Sequence, residues 1–142
     1  MNKVTLKFKS RMENEAFARI SACAFISPLN PNFEELMEIK TIVSEAVTNC
    51  IIHGYDSNPN KIVKLEIGYD KNGLVTIIVS DTGNGIEDID QAIQPLYTTK
   101  SQDERSGMGM TIMQTFSDSF DVISCLKEGT SVVIQKQLSR TK

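Results

Sequence analysis

The segment that most restricts the fold is residues 42–52, which are apolar nearly all round when drawn as a helix. A helix of this kind is stable only when most of its circumference is buried. The segment belongs to a longer helical pattern, residues 33–53, which starts after Asn32 as the predicted N-cap and ends before Gly54. The rest of the chain must therefore supply layers that cover this helix.

Two kinds of periodicity account for most of the remaining chain. Strand-like patterns predict strands at residues 4–8, 61–69, 74–80, 120–126 and 130–138, of which 61–69 and 74–80 form a hairpin. Helical spacing predicts helices at residues 11–26, 86–93 and 107–116. Together these elements predict one α+β domain, residues 1–142, folded as a two-layer α/β sandwich with a mixed, mostly antiparallel sheet and helices on one face.

Composition limits the classes of partner and the compartment. The 142 residues include 15 basic and 18 acidic side chains, giving a net charge of −3 and a pI near 5.2. These values argue against a direct nucleic-acid interface and against a polybasic membrane patch. The cysteines form no CxxC pair, which predicts thiols in a reducing compartment and no zinc knuckle or disulfide framework. Because the N-terminus does not resemble a signal peptide and no apolar run is long enough to span a membrane, we expect a cytoplasmic protein.

Two polar residues interrupt the apolar helix. Glu45 and Asn49 are four residues apart, so they stack on one face of the helix. An ionised carboxylate in such a place is costly unless something pairs with it. One interpretation is a solvated helix edge, or a carboxylate that accepts from a backbone amide. The other is a site for magnesium and proton transfer, in which the asparagine supplies a neutral oxygen ligand and the glutamate a base.

A second polar motif, Asp81 followed by Gly83 and Gly85, comes directly after a strand rich in valine and isoleucine. Glycines after a strand are common in turns, and a turn is one interpretation here. The alternative is a ligand site, since glycines at alternate positions let a ligand approach the backbone closely. The neighbouring carboxylate is an acceptor that could recognise an exocyclic amine.

The segment from Ser106 through Gly107 and Met108 to Gly109 directly precedes a helical pattern. Glycines at a helix start leave backbone N–H groups free at the positive end of the helix dipole, where an anion such as phosphate binds. The glycine pairs do not fit the GxGxxG dinucleotide fingerprint, and the sequence has no GxxxxGK[ST] phosphate loop.

The order of these motifs is more specific than any one of them. ExxxN on a helix, DxGxG after a strand and GMG at a helix start resemble the N, G1 and G2 boxes of the GHKL superfamily, which includes histidine kinases, type II topoisomerases, MutL and a heat-shock chaperone. The resemblance implies the Bergerat fold, which binds ATP with Mg²⁺. The resemblance also implies the ligand contacts. Asn49 would hold Mg²⁺, Asp81 would accept a hydrogen bond from the adenine amino group, and Gly83 and Gly85 would pack by the base. The backbone from Ser106 to Gly109 would bind the phosphates, and Thr130 would contact the adenine side of the nucleotide.

Longer segments are similar to one family within that superfamily. Residues 17–19, 38–49, 51–55, 94–100 and 104–109 resemble the anti-sigma F factors of endospore-forming bacteria, and the likeness covers nearly the whole chain. This resemblance implies a homodimer that sequesters a sporulation sigma factor of the sigma F type. It also implies a serine protein kinase whose substrate is an anti-anti-sigma factor. Arg19 would contact both protein partners, and Arg105 would contact the γ-phosphate.

The chemistry of phosphoryl transfer agrees with these assignments. Transfer to a serine hydroxyl needs a base, a metal and positive charge on the reacting phosphoryl group. The candidates are Glu45 as the base, Asn49 as the residue that holds Mg²⁺, and Arg105 with Lys100 as the cations.

Residues 94–106 lack a clear period and are predicted to form a mobile loop. Thr98, Thr99, Lys100 and Arg105 all lie in it, which suggests a lid that phosphate contacts would order. Thr99 and Lys100 are therefore further candidates for nucleotide binding.

Two other functions fit the same motifs. In the first, ATP only sets the conformation of a binding module, with negligible phosphotransfer. In the second, the chain is a detached catalytic domain of a histidine kinase. We disfavour the second because Glu45 comes first in the ExxxN pattern of the helix. A complete histidine kinase would also need a helical hairpin with an acceptor histidine, but His53 is the only histidine and nothing in the chain could form that hairpin. The presence of Glu45 favours a kinase over a binding module.

Overall fold

The computed structural model describes residues 1–86 and 109–139. The helices are α1 (Glu13–Ile26), α2 (Phe33–Asn49) and α3 (Gly109–Phe116), with a 3₁₀ turn at Ser27–Leu29 and a π turn at Cys50–Gly54. The strands are β1 (Asn2–Lys9), β2 (Ile62–Tyr69), β3 (Leu74–Asp81), β4 (Ser119–Cys125) and β5 (Gly129–Gln137). No helix in these two ranges is long and apolar enough to cross a membrane.

The five strands form one sheet in the order β1-β2-β3-β5-β4, and every neighbouring pair is antiparallel. The hairpin predicted from residues 61–80 is therefore confirmed. Strand β3 lies at the centre, and its last residue, Asp81, is directly opposite Thr130 near the start of β5. This register brings the motif at the end of β3 beside a residue almost fifty positions later in the chain.

The core lies between one face of the sheet and the helices. Alternate residues of the central strands are fully buried, including Ile67, Ile77 and Ile134. Helix α2 covers them with one buried face, formed by Ile39, Ile42, Val43, Ala46 and Val47. The predicted α+β sandwich with helices on one face, and the burial of the apolar helix, are both confirmed.

Helix α2 begins as predicted. The Asn32 side chain accepts from the Glu35 backbone N–H (2.8 Å), and Glu35 Oε1 accepts from the Asn32 backbone N–H (3.0 Å). This capping box satisfies two N–H groups that a helix start leaves unpaired. The other Glu35 oxygen accepts from the backbone N–H of Ser139 (2.6 Å), which ties the residues after β5 to the start of α2.

The predicted end of this helix at His53 is wrong. The α-helix stops at Asn49, and the chain continues as a π turn from Cys50 to Gly54, in which the Tyr55 N–H donates to the Cys50 carbonyl (2.9 Å). A π turn holds one more residue than an α turn and is often found at functional sites. Here its last residue, Gly54, packs directly on the end of β3.

The position of α3 is set at its C-terminus by Lys136 of β5. The ammonium group donates to the Phe116 carbonyl (2.9 Å) and forms an ion pair with Glu38 of α2 (2.8 Å). A cation at this end of a helix is favourable because the helix dipole is negative there.

Two predicted segments lie outside the described residues: the helix at residues 86–93, apart from Ile86, and the loop at residues 94–106.

Candidate functional site

Glu45 and Asn49 meet the first residue of α3. A Cβ atom added to Gly109 would lie 2.9 Å from Glu45 Oε2 and 3.3 Å from Asn49 Nδ2. A Cβ contact of 2.9 Å is essentially never seen in proteins, so a larger residue at position 109 would displace the Glu45 carboxylate. The glycine thus allows α3 to start directly against both side chains. Glu45 and Asn49 are half-buried between α2 and α3. The structure thus brings together three residues that the sequence predicted for one site.

The chemistry of this cluster fits a metal–phosphate group. The start of α3 attracts an anion, whereas the Glu45 carboxylate beside it repels one. A divalent cation between a phosphate and these side chains would reconcile the two charges. Mg²⁺ prefers oxygen ligands and is commonly held by one or two protein groups together with substrate phosphates. The amide oxygen of Asn49 is suited to be such a group.

Asp81 forms a second polar centre at the end of β3. Its side chain is buried, and burial raises the pKa of the carboxyl above the ordinary value of 3.8. Three neighbouring groups oppose that rise: the Gly83 N–H, which donates to Oδ1 at 2.9 Å, and the nearby Cys50 thiol and Thr130 backbone N–H. The thiol itself is buried, and burial, together with the Asp81 charge, raises its pKa well above 9.0. The Cys50 thiol is therefore kept protonated in this buried place next to the Asp81 carboxylate.

The glycines of this region serve contacts within the protein. A Cβ at Gly83 would overlap the carbonyl of Gly54, and a Cβ at Gly54 would lie 2.7 Å from Asp81 Oδ2. Gly85 has φ +74°, a left-handed conformation, and packs against the carbonyl of Cys125. Close approach of the backbone is thus required at Gly83 and Gly85 by neighbouring chain segments. Packing of these glycines against a base stays a prediction.

Side chains around the Asp81 motif hold its backbone in place. The Tyr55 hydroxyl accepts from the Thr82 N–H (2.8 Å) and donates to the Ile62 carbonyl (2.5 Å). Asn84 donates through Nδ2 to the His53 carbonyl (3.1 Å), which joins the segment to the π turn. Thr130, predicted from the family resemblance, lies next to Asp81 and shares a hydrogen bond with the Ser124 hydroxyl (2.8 Å).

The remaining predicted site residues are Arg19 and six that the structure does not describe. Six of them lie outside the described residues: Thr99, Lys100, Arg105, Ser106, Gly107 and Met108. Arg19 is half-buried on α1, where its Nε forms an ion pair with Glu15 (2.8 Å). Phe17 and Ile20, next to it on the same helix, are more than half exposed, so a charged and an apolar group share this surface.

Sequence reasoning missed three residues of the site. Cys50 counted only as part of the apolar helix, Gly54 only as its end, and Tyr55 only as a turn residue. In the structure, Cys50 and Gly54 contact Asp81, and Tyr55 supports the next residue. The only signal was their position, directly after Asn49, and it does not reveal the π turn that carries Cys50 and Gly54.

Comparison with known proteins agrees with the fold and the motifs. Residues 8–136 match the family described as "Histidine kinase-like ATPase domain". The anti-sigma F factor of Priestia megaterium is 48% identical over 141 residues, which are 99% of this chain and 96% of the relative. The anti-sigma F factor of Oceanobacillus iheyensis is 52% identical with the same coverage. That of Clostridium perfringens is 49% identical over 138 residues, 97% of this chain and 98% of the relative.

Solved structures share the fold at lower identity. The RsbU and RsbW domains of Rv1364c from Mycobacterium tuberculosis superpose with a TM-score of 0.70 at 14% identity, covering 99% of this chain and 33% of that one. The histidine kinase domain of a blue-light activated kinase from Erythrobacter litoralis superposes with a TM-score of 0.57 at 24% identity, covering 74% of this chain and 48% of that one. The family match and the anti-sigma F relatives each cover nearly the whole chain. The chain therefore belongs to the histidine kinase-like ATPase domain family and, within it, to the anti-sigma F factors.

Proposed function

We propose that this protein inhibits a sporulation sigma factor of the sigma F type by binding it, and that it is an ATP-dependent serine kinase of an anti-anti-sigma factor. The observation that carries the kinase assignment is the meeting of Glu45 and Asn49 with the start of α3. The names of the relatives support the anti-sigma role. As the family resemblance implies, the protein acts as a homodimer.

In this proposal the two polar centres hold the two ends of ATP. Asp81 accepts a hydrogen bond from the 6-amino group of adenine, with Thr130 beside it and Gly83 and Gly85 shaping the backbone. At the other end, the backbone before and at Gly109 donates to the phosphates. Asn49 holds Mg²⁺, which when bound neutralises phosphate charge.

Glu45 is the general base of the proposed transfer. It takes the proton of the serine hydroxyl as the hydroxyl oxygen bonds to the γ-phosphorus and the bond from that phosphorus to the ADP oxygen breaks. The half-buried carboxylate lies at the start of the helix proposed to hold the phosphates, which is where a base is needed. Arg105 and Lys100 supply positive charge to the γ-phosphate, and Thr99, Ser106, Gly107 and Met108 complete the phosphate contacts.

One experiment separates this proposal from its closest rival, a binding module switched by ATP without phosphotransfer. The protein is incubated with γ-labelled ATP, Mg²⁺ and a candidate anti-anti-sigma factor, and the label is located by mass spectrometry. We expect the label on a serine of the substrate. Label that stays entirely in ATP, while the sigma factor is still bound, would favour the binding module.

The first prediction concerns the nucleotide. If Asp81 recognises adenine and Asn49 holds Mg²⁺, ATP with Mg²⁺ should raise the melting temperature, while ATP with a chelator should not. Saturation at about 100 times the Kd adds about 2.7 kcal/mol to the free energy of unfolding. GTP should give a much smaller shift because it presents a carbonyl in place of the 6-amino group. Equal shifts from ATP and GTP, measured by differential scanning fluorimetry, would contradict the role of Asp81.

The second prediction concerns the partner surface. Arg19→Glu should weaken binding of both the sigma factor and the anti-anti-sigma factor, while Mg²⁺-ATP binding is unchanged. Reversal of a charge whose partner becomes buried in an interface costs about 2–5 kcal/mol, or at least a thirtyfold rise in Kd. The reversal also places a second carboxylate beside the mostly buried Glu15 side chain, so a thermal melt of the variant must first show that it is folded.

The matched control for Arg19 is Lys71→Glu, the same reversal in the exposed turn between β2 and β3. Calorimetric titration of each partner into both variants gives the comparison. If Arg19→Glu binds the sigma factor as tightly as Lys71→Glu does, the interface lies elsewhere.

A further inference from the structure

Three hydrogen-bonding side chains lie in one row across three neighbouring strands. Asp81 of β3 is directly opposite Thr130 of β5, and Thr130 is directly opposite Ser124 of β4. Side chains of directly opposed residues are neighbours on the same face of a sheet. The next row on this face consists of Val79, Val132 and Val122. A polar row thus ends an apolar face, and Ser124 is its third member beside the two predicted adenine residues.

The Ser124 hydroxyl joins this row to the backbone of the Asp81 motif. It accepts from the backbone N–H of Ile86, the residue after Gly85 (2.7 Å). The hydroxyl oxygen also lies 2.8 Å from Thr130 Oγ1 and 3.1 Å from the Gly129 carbonyl oxygen. A hydroxyl has one proton, so Ser124 donates to one of these two oxygens at a time.

The choice of acceptor decides what Thr130 can offer to a ligand. If Ser124 donates to the Gly129 carbonyl, the contact at 2.8 Å uses the Thr130 proton, and the Thr130 hydroxyl offers only lone pairs. If Ser124 donates to Thr130, which is the nearer acceptor, the Thr130 proton is free for another group. Adenine presents a ring nitrogen that accepts next to its 6-amino group. A free Thr130 proton therefore complements Asp81, which accepts.

We propose that Ser124 is a positioning residue of the adenine site, whose hydroxyl donates to Thr130 and so directs the Thr130 proton toward a ring nitrogen next to the 6-amino group. This inference rests on the proposed function, in which adenine lies against Asp81 and Thr130. The alternative is that Ser124 only joins β4 to the backbone of Ile86. The two differ in one respect: only a residue that acts through Thr130 loses its effect on ATP binding when the Thr130 hydroxyl is absent.

The test is a double-mutant cycle of Ser124→Ala and Thr130→Val, in which calorimetric titration with Mg²⁺ present gives the Kd of ATP. Each single variant should raise the Kd about two- to tenfold, the range that one hydrogen bond contributes. The double variant should bind ATP as tightly as Thr130→Val, because the effects of residues that act through one another do not add.

Two further variants separate the Ser124 hydroxyl from general effects on the sheet. Ser131→Ala removes a hydroxyl from the next residue of β5, where Ser131 Oγ lies 2.9 Å from Ser80 Oγ on the opposite face. Ser124→Thr keeps the hydroxyl at a strand position that suits threonine. Both variants should bind ATP as the parent does. Thermal melts without nucleotide show whether each variant is folded.

Analogues of ATP test the direction of the Thr130 proton. 1-Deaza-ATP and 7-deaza-ATP each lack one of the two ring nitrogens that flank the 6-amino group. The parent should bind one of them about two- to tenfold more weakly than ATP, and this difference should shrink in Ser124→Ala. Equal binding of all three nucleotides by the parent would contradict donation by Thr130.

The outcomes distinguish this inference from the proposed function. Parent affinity in Thr130→Val would overturn the adenine role of Thr130, and this inference with it. Weaker binding in Thr130→Val, with parent affinity in Ser124→Ala, would overturn only the role of Ser124. Losses that multiply in the double variant would do the same, since Ser124 would then act through Ile86. If Ser131→Ala or Ser124→Thr binds as weakly as Ser124→Ala, or if Ser124→Ala does not fold, Ser124 serves the sheet and the proposal is wrong.

Discussion

Glu45→Gln should lower the rate of phosphotransfer to the anti-anti-sigma factor by about 10²–10⁴-fold, the usual contribution of a general base. Glutamine has the same shape as glutamate, so its contact with the start of α3 is kept and the fold should be unchanged. ATP affinity should change little, because the carboxylate acts on the serine proton and not on the nucleotide. The measurement is single-turnover transfer from labelled ATP at saturating nucleotide.

The matched control is Glu34→Gln, which removes the same charge from an exposed position in the first turn of α2. This variant should transfer phosphate at the parent rate. An unchanged rate in Glu45→Gln would make Glu45 a structural residue. Loss of folding in Glu45→Gln would lead to the same conclusion, because the carboxylate would then be needed for packing.

Features of the fold that depend on nearby residues could be predicted. The Asn32 cap, the buried helix and the β2–β3 hairpin follow from short-range patterns, and the structure confirms them. The order of the sheet could not be predicted, because the pairing of β3 with β5 joins segments far apart in the sequence. Local propensity contains no information about which distant strand will become the neighbour.

The candidate site was predictable to a similar degree. The spacing of Glu45 and Asn49 places them on one helix face, and the structure adds that Gly109 is their neighbour. The π turn was not predictable, because its stability comes from contacts of Gly54 with Asp81 and Gly83, which belong to another element. A helix end decided by tertiary contacts leaves no mark in the helical pattern itself.

The same buried carboxylate leads to the last prediction, on Asp81→Asn. This variant should bind ATP about 10- to 100-fold more weakly, because a hydrogen bond to a charged acceptor is replaced by one to a neutral amide. Without nucleotide, however, the variant should be more thermally stable than the parent at neutral pH. Burial raises the pKa of the Asp81 carboxyl in the folded state, so the fold favours the protonated, neutral form.

The sign of the pH dependence follows from that shift. A carboxyl whose folded-state pKa is raised contributes stability below its unfolded pKa, ordinarily 3.8, and loses that contribution as pH rises through the folded value. The parent without nucleotide should therefore lose part of its stability as pH rises from below 3.8 through the raised folded-state value, and Asp81→Asn should lose less. Thermal melts of both proteins over a pH series that starts below 3.8 and ends at neutral pH, with and without Mg²⁺-ATP, measure the difference.

Asp70→Asn is the opposite control. Asp70 is in the exposed turn between β2 and β3, where the backbone N–H groups of Leu74 (3.0 Å) and Asn72 (2.9 Å) donate to it and lower its pKa. Its ionised form stabilises the fold, so Asp70→Asn should lower the melting temperature at neutral pH and leave ATP binding unchanged. If Asp81→Asn also melts at a lower temperature than the parent and still binds ATP as tightly, the carboxylate of Asp81 serves folding. If Asp81→Asn instead melts higher than the parent and binds ATP more weakly, the fold tolerates the buried charge of Asp81 because the adenine amino group donates to it when the nucleotide is bound.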